Sequence, residues 1–267
     1  VDYQLTEDLT ATVGFNYTED EKTVVSDVTV VDFFSSLPLP ASLASVQFFP
    51  PFVNYPNAEE DGIFNSDSLT HTLRLAYDVS EDTKLYMAHS TGFKPTSVNL
   101  SVNANNADIG RAADPEESDN FELGLKHQFG NGYLNIAYFD QSIDGFQSNT
   151  FVGNGFALVN AGEQNHKGFE FDAKVELSES LVVNVSGMKV DAEYVSCVNG
   201  SCGDFPGLEC DDGKVTRDLS GTTPAGIHDW SVNANAVYSF DLIDDSITYF
   251  LKNLIWNSSP IACHSVY

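Results

Sequence analysis

The chain has 267 residues, 42% of them hydrophobic and 12% aromatic, with 19% charged. That is enough apolar mass for one or two folded domains and too little charge for intrinsic disorder. Twelve Lys and Arg stand against 39 Asp and Glu, a formal charge of −27, so nucleic-acid binding is close to excluded and electrostatic adhesion to an anionic membrane surface is disfavoured.

No stretch of 18 or more apolar residues predicts a transmembrane helix. The first 25 residues lack the basic and apolar regions of a signal peptide. The chain opens on Val1 inside a strand-like pattern, and it reads as an internal piece of a longer protein, so the missing leader carries no information about location.

From there the dominant signal is alternation with a period of two. In 9–17, Leu9, Ala11, Val13, Phe15 and Tyr17 share one face. In 71–79, Leu73, Leu75, Tyr77 and Val79 oppose Thr72, Arg74, Ala76 and Asp78. Phe121, Leu123 and Leu125 alternate with Glu122, Gly124 and Lys126. Phe169, Phe171, Ala173, Val175 and Leu177 oppose Glu170, Asp172, Lys174 and Glu176. Trp230, Val232, Ala234, Ala236 and Tyr238 close the series, with Asn233 on the other face. No helical stripe of similar length competes, so the chain is predicted to be all-β.

Two kinds of connection take turns. Short polar turns are expected at 6–8, 80–83, 130–132, 178–180 and 241–245, and long polar connections at 20–69, 94–118, 147–167 and 190–228. Long structureless loops are uncommon in compact domains. Short turns on one side and long loops on the other are the signature of an outer-membrane β-barrel, apolar outside and wet inside. The prediction is one antiparallel meander of about ten strands, with Phe129, Tyr133, Tyr238 and Phe240 as an aromatic girdle near the short turns. Leu73, Leu75, Tyr77, Leu123, Leu125, Phe169, Phe171, Val175, Trp230 and Val232 should point outward. Arg74, Asp78, Glu122, Lys126, Glu170, Asp172, Lys174 and Asn233 should line the lumen, because a Lys or Arg at the bilayer midplane costs about 2–4 kcal/mol. A passive porin-like channel and a secreted β-sandwich binding module, such as a lectin, are the alternatives; the charged faces at 120–126 and 170–176 disfavour a dry sandwich core. With two open edges, the piece alone should aggregate in water.

Several segments resemble the TonB-dependent outer-membrane receptors. Lys84 to Pro95, with Gly92-Phe93-Lys94-Pro95, is similar to that family's strand-to-loop segment. Pro115 to Lys126, Asn135 to Gln147, and Asn160-Ala161-Gly162 with Lys167-Gly168-Phe169-Glu170 follow in the family's order, and Leu219-Ser220-Gly221 with Ala225 to Phe240 resembles a return strand. The resemblance implies a 22-stranded barrel, plugged by an N-terminal domain, that imports a scarce nutrient such as a ferric siderophore with energy relayed by TonB. Outer-membrane lipid would surround it; TonB and the plug are partners expected only in the full-length protein. Residues 1–258 read as a partial barrel, within which alternation is lost after Tyr249, and 259–267 as an atypical tail that fits no closing strand.

Catalysis has no candidates: there is no GxSxG, HExxH or phosphate-cradling glycine loop, and neither a cofactor nor a metal is predicted. His89 and His127 sit in strand patterns and read as satisfied or interfacial side chains, and the acidic pairs read as solvated loops. Cys197, Cys202 and Cys210 share one long loop, where the oxidising compartment of a barrel favours a disulfide over free thiols or a metal site. Cys202–Cys210 is the preferred pair and Cys197–Cys202 nearly as good. Candidate ligand contacts are Arg111, which also reads as an ion-pair partner of Asp108 or Asp114, and the loop aromatics Tyr55, Phe64, Phe151, Phe156 and Phe205.

Overall fold

The computed structural model describes residues 1–25, 38, 40, 62–99, 112–151, 156–198, 200, 209, 211, 217–242 and 245–257. Among them the regular structure is all strand: β1 (Asp2–Gln4), β2 (Leu9–Val24), β3 (Gly62–Ser80), β4 (Thr83–Lys94), β5 (Ser97–Val98), β6 (Ala112–Ala113), β7 (Glu116–Phe129), β8 (Gly132–Asp144), β9 (Gln147–Phe151), β10 (Phe156–Asn160), β11 (Glu163–Ser178), β12 (Leu181–Ser196), β13 (Trp230–Leu242) and β14 (Asp245–Asn257). One 10-stranded antiparallel sheet runs β1-β2-β3-β4-β7-β8-β11-β12-β13-β14, each strand beside its predecessor in the meander. A sandwich would need two packed sheets, and that alternative falls here. The short pairs β5–β6 and β9–β10 stand apart from the large sheet, inserted in the connections between β4 and β7 and between β8 and β11.

Tight turns close one end of the sheet at 81–82, 130–131 and 179–180, while the opposite end carries the long connections. The strands reach further into those connections than alternation indicates. β2 runs on to Val24, β3 starts at Gly62, β7 at Glu116 and β11 at Glu163, and β12 runs to Ser196. The physical reason is simple. A ladder needs only backbone donors and acceptors, so polar stretches such as Asp20–Lys22 opposite Phe64–Ser66 pair as well as apolar ones. Side-chain alternation reports the part of a strand with one apolar face, not its whole length.

The irregular end of the chain also has a structural account. β14 pairs with β13 along its length, with a register shift between Ala236 and Val237. Above the shift Trp256 lies opposite Val232 and Leu254 opposite Ala234; below it Tyr249 lies opposite Tyr238. One extra residue in β14 moves the pairing phase by one, which erases a period of two from the sequence while keeping the strand. The tail from 258 lies outside the described residues.

The sheet has no dry core. Its large apolar side chains are laid open on one face: Leu69 is 63% exposed, Phe169 57%, Leu123 52% and Trp230 42%. The fully covered apolar residues are mostly small, Ala76, Ala137 and Ala192 among them. A water-soluble domain rarely displays an apolar surface of this extent.

Candidate functional site

Cross-strand register sorts the side chains into two sets. Arg74 lies opposite Ala88 and Ala88 opposite Glu122; Asp78 lies opposite Lys84 and Lys84 opposite Lys126. Lys126 opposes Asn135, which opposes Asp172. Glu170 and Lys174 sit two residues either side of Asp172. All seven charged residues expected on one face are therefore on one face, because opposed residues in a ladder point the same way.

That face is chemically organised. The Tyr86 hydroxyl donates to Glu122 Oε1 at 2.5 Å, and the Arg74 guanidinium lies over the Tyr86 ring, 4.8 Å from its centre. Lys126 Nζ approaches the same ring at 5.7 Å. Asn135 Nδ2 donates to Asp172 Oδ1 at 3.1 Å, and Asn184 to Asn235 at 2.9 Å. A concavity of about 340 Å³ opens here, with Tyr86, Lys126, Asn135, Glu170, Asp172 and Met188 from five successive strands around it. A larger one of about 670 Å³ lies at the short-turn end, where Lys84, Lys126 and Lys174 meet Asp78 and Glu176. Lys84 pairs with Asp78 at 3.2 Å and Lys174 with Glu176 at 3.0 Å. Such pairs are exposed and contribute little to stability; their effect is to fill this face with charge that is already matched.

The opposite face carries an apolar band. On β11 it runs from Phe169 to Leu177; nine residues at a rise of roughly 3.3 Å, tilted by about 40°, cover about 23 Å of height, close to the band of a membrane barrel. Toward the long connections a polar belt interrupts it from β3 to β12; Lys189, opposite both Phe169 and Trp230, belongs to that belt, while Leu69 and Ile63 on β3 lie beyond it. His71 Nε2 meets His89 Nδ1 at 3.0 Å, and His89 Nε2 meets Asp119 Oδ2 at 2.8 Å. Asn165 donates to Asp140 at 2.9 Å, and Lys167 lies 3.7 Å from Asp191. His127, nearer the short turns, bonds Thr83 at 2.9 Å. Both histidines singled out in the sequence are thus satisfied by neighbours. Among the described residues no group of three His, Cys, Asp or Glu side chains is arranged to hold a metal ion.

The expected ligand contacts fare differently. Phe64 is not a loop residue: it lies in β3, opposite Lys22, because the ladder continues through polar sequence. Phe151 and Phe156 belong to β9 and β10 and lie opposite one another in that hairpin. Arg111, Tyr55 and Phe205 lie outside the described residues, as do Cys202 and Cys210. Cys197 is described: it is a buried free thiol, 2% exposed, immediately after β12. Burial, with Asp218 nearby, pushes its thiol up to about 11. What sequence reasoning missed is Tyr86, whose ring gathers Arg74, Glu122 and Lys126. Its even position in the 84–90 run was the available signal.

Known proteins complete the picture. Residues 1–259 match the family described as TonB dependent receptor-like, beta-barrel. A probable TonB-dependent siderophore receptor of Acinetobacter baumannii, PiuA, is 27% identical over 198 residues, which is 68% of this chain and 26% of that protein. Among solved structures, the ferric yersiniabactin uptake receptor FyuA from Yersinia pestis superposes with a TM-score of 0.60 at 16% identity, covering 92% of this chain and 31% of that one. The siderophore receptor PiuA from Acinetobacter baumannii gives 0.56 at 18% identity, over 89% and 30%. The chain therefore spans between a quarter and a third of these relatives' length. A ten-stranded meander with one charged and one apolar face, matched to the family almost end to end, makes this chain a member of the TonB-dependent receptor family, from its β-barrel.

Proposed function

We propose that this chain forms part of the wall of an outer-membrane receptor that takes up a scarce nutrient, a ferric siderophore in the first instance. The charged face lines the lumen and the apolar face meets lipid. One observation carries this reading: Arg74, Glu122, Lys126, Glu170, Asp172 and Lys174 share a face with the 340 Å³ concavity, while Phe169, Leu123 and Trp230 stand exposed on the other. Placing the charges in hydrocarbon instead would cost about 2–4 kcal/mol for each midplane cation, so only one orientation is tolerable.

In this reading the polar belt through His89–Asp119 and Lys167–Asp191 marks the outer limit of the hydrocarbon, and the long connections rise above it to receive the ligand. The matched charges of the lumen face are surroundings that a plug can slide against without leaving a bare ion. TonB and the plug act in the full-length protein. The siderophore assignment is supported by the substrates named for the relatives PiuA and FyuA. The test is uptake. A strain lacking the full-length gene, grown under iron limitation, should lose accumulation of an iron-labelled siderophore and regain it on complementation only while the inner-membrane energy supply is intact. Uptake that persists without that energy, or no dependence on the gene for any ferric siderophore, contradicts the proposal.

A further inference from the structure

The two inserted hairpins, β5–β6 and β9–β10, hold motif residues that lie far apart in sequence and meet in space. Gln147 opens β9 and is 5% exposed. Its Nε2 donates to Pro95 O at 3.1 Å and Asp114 O at 2.8 Å, and its Oε1 accepts from the Ser97 hydroxyl at 2.7 Å. Its backbone N–H donates to Glu116 Oε2 at 2.8 Å, the same oxygen that Lys94 reaches at 3.3 Å. One side chain thus holds both legs of the 95–115 connection, outgoing at Pro95 and Ser97 and returning at Asp114. Every hydrogen-bonding atom of that amide is used.

Asn160, opposite Gln147 in the β9–β10 ladder, completes the base. Its Oδ1 accepts from Asp114 N–H at 2.7 Å, and its Nδ2 donates to Asp114 O at 3.0 Å and Gly145 O at 2.6 Å. Higher up, Asn99 grips Leu158: Nδ2 donates to Leu158 O at 2.8 Å and Oδ1 accepts from Leu158 N–H at 2.7 Å. That two-point clamp does for the outer edge of β10 what a further strand would do. Thr96 N–H donates to Ser66 Oγ at 3.2 Å, which ties the assembly to β3.

We infer that the described legs of these connections, 95–99 with 112–115 and 145–151 with 156–162, are one mechanical unit, latched at its base by the Gln147 and Asn160 amides and above by the Asn99 clamp on Leu158. A partner that engages either connection therefore moves both. In the reading of this end as the ligand-receiving one, a ligand touching one connection reports to the strands beneath the other. The latch itself stands on the geometry alone. Gln147 and Asn99 are buried with their amide groups paired, and such amides are held cooperatively, because loosening one partner strands the others.

Amide hydrogen exchange on the full-length protein in lipid tests this without a ligand. The reporters are the N–H groups of Leu158, Asp114 and Gln147, which belong to different arms of the latch. Asn99→Ala removes only the upper clamp, far from the main ladder. The expected result is about ten-fold faster exchange at Leu158 together with a several-fold rise at Asp114 and Gln147. Gln147→Ala should accelerate Asp114 and Leu158 together, and Asn149→Ala, an exposed position on β9, should change none of them. Should Gln147→Ala fail to assemble, Asn99→Ala and the milder Asn99→Asp, which keeps the acceptor for Leu158 N–H, decide the matter. Acceleration confined to Leu158 in Asn99→Ala means two independent hairpins and overturns the inference. Loss of siderophore uptake by the native protein would overturn the proposed function and leave the exchange result standing.

Discussion

Val185 and Ser186 are consecutive in β12 and belong to opposite faces. Val185 lies between Ala173 and Ala234 on the apolar face, and Ser186 between Asp172 and Asn233 on the charged one. A lysine at each position meets two solvents one residue apart. At 185 the ammonium stands near the middle of the apolar band, where the cost is about 2–4 kcal/mol. At 186 it stands beside the Asp172 carboxylate in a wet environment, where an exposed pair contributes about 0–1 kcal/mol in its favour. The difference, about 2–5 kcal/mol, is roughly 30- to 4,000-fold in the folding equilibrium, since 1.4 kcal/mol is a factor of ten. Urea unfolding of the full-length protein in lipid vesicles measures it, with Val185→Lys and Ser186→Lys compared at equal lipid. The expected order is Ser186→Lys close to wild type and Val185→Lys destabilised by at least 2 kcal/mol. Variants within about 0.5 kcal/mol of each other, or the reverse order, would refute the assignment of faces.

Two further outcomes follow from the long-connection end. The Cys197 thiol, 2% exposed and with its pKa pushed up to about 11, should react with a maleimide or iodoacetamide far more slowly at pH 8 than an unfolded control. Its rate should climb as pH rises toward 11, the sign required when burial disfavours the thiolate, and peptide mapping should find it unpaired, leaving Cys202 and Cys210 to each other. Fast labelling at pH 8 or a Cys197–Cys202 bridge contradicts this. Gly162 has φ 124°, and a Cβ there would sit 2.1 Å from Ser196 O, whereas Gly221 at φ 78° has open space around it. Gly162→Ala should therefore lower the yield of folded protein well below that of Gly221→Ala, whose cost is about 1–2 kcal/mol of backbone strain. Equal yields would contradict it.

How much of this was legible in the sequence depends on what each signal reports. A period of two reports an apolar face, so the middle of β3, β7 and β11 and the partition of their charges were readable from residues alone. It is silent where both faces are polar. Phe64 was therefore mistaken for a loop residue, and the upper reaches of β2 and β12 were missed. β14 hid for the opposite reason: its residues are apolar enough, but one extra residue resets the phase. The latch is a third case. Pro95, Gln147 and Asn160 each lie in a segment that resembles the receptor family, yet nothing in a linear pattern shows that residues 52 apart, such as Pro95 and Gln147, share a hydrogen bond. Only the meander brings them together, since β4, β7, β8 and β11 deliver all four legs to the same end of the sheet.

The orientation of the sheet in lipid is the claim on which the receptor reading turns. Spin labels placed singly along β3 from 72 to 78, in the full-length protein in vesicles, measure it through relaxation by oxygen, which partitions into hydrocarbon, and by a water-soluble nickel chelate. Labels at 73, 75 and 77 should be relaxed by oxygen and shielded from nickel, while 72, 74, 76 and 78 show the reverse, a period of two in register with Leu73, Leu75 and Tyr77. Nickel accessibility at 73, 75 and 77, or no period of two along the strand, would contradict the account.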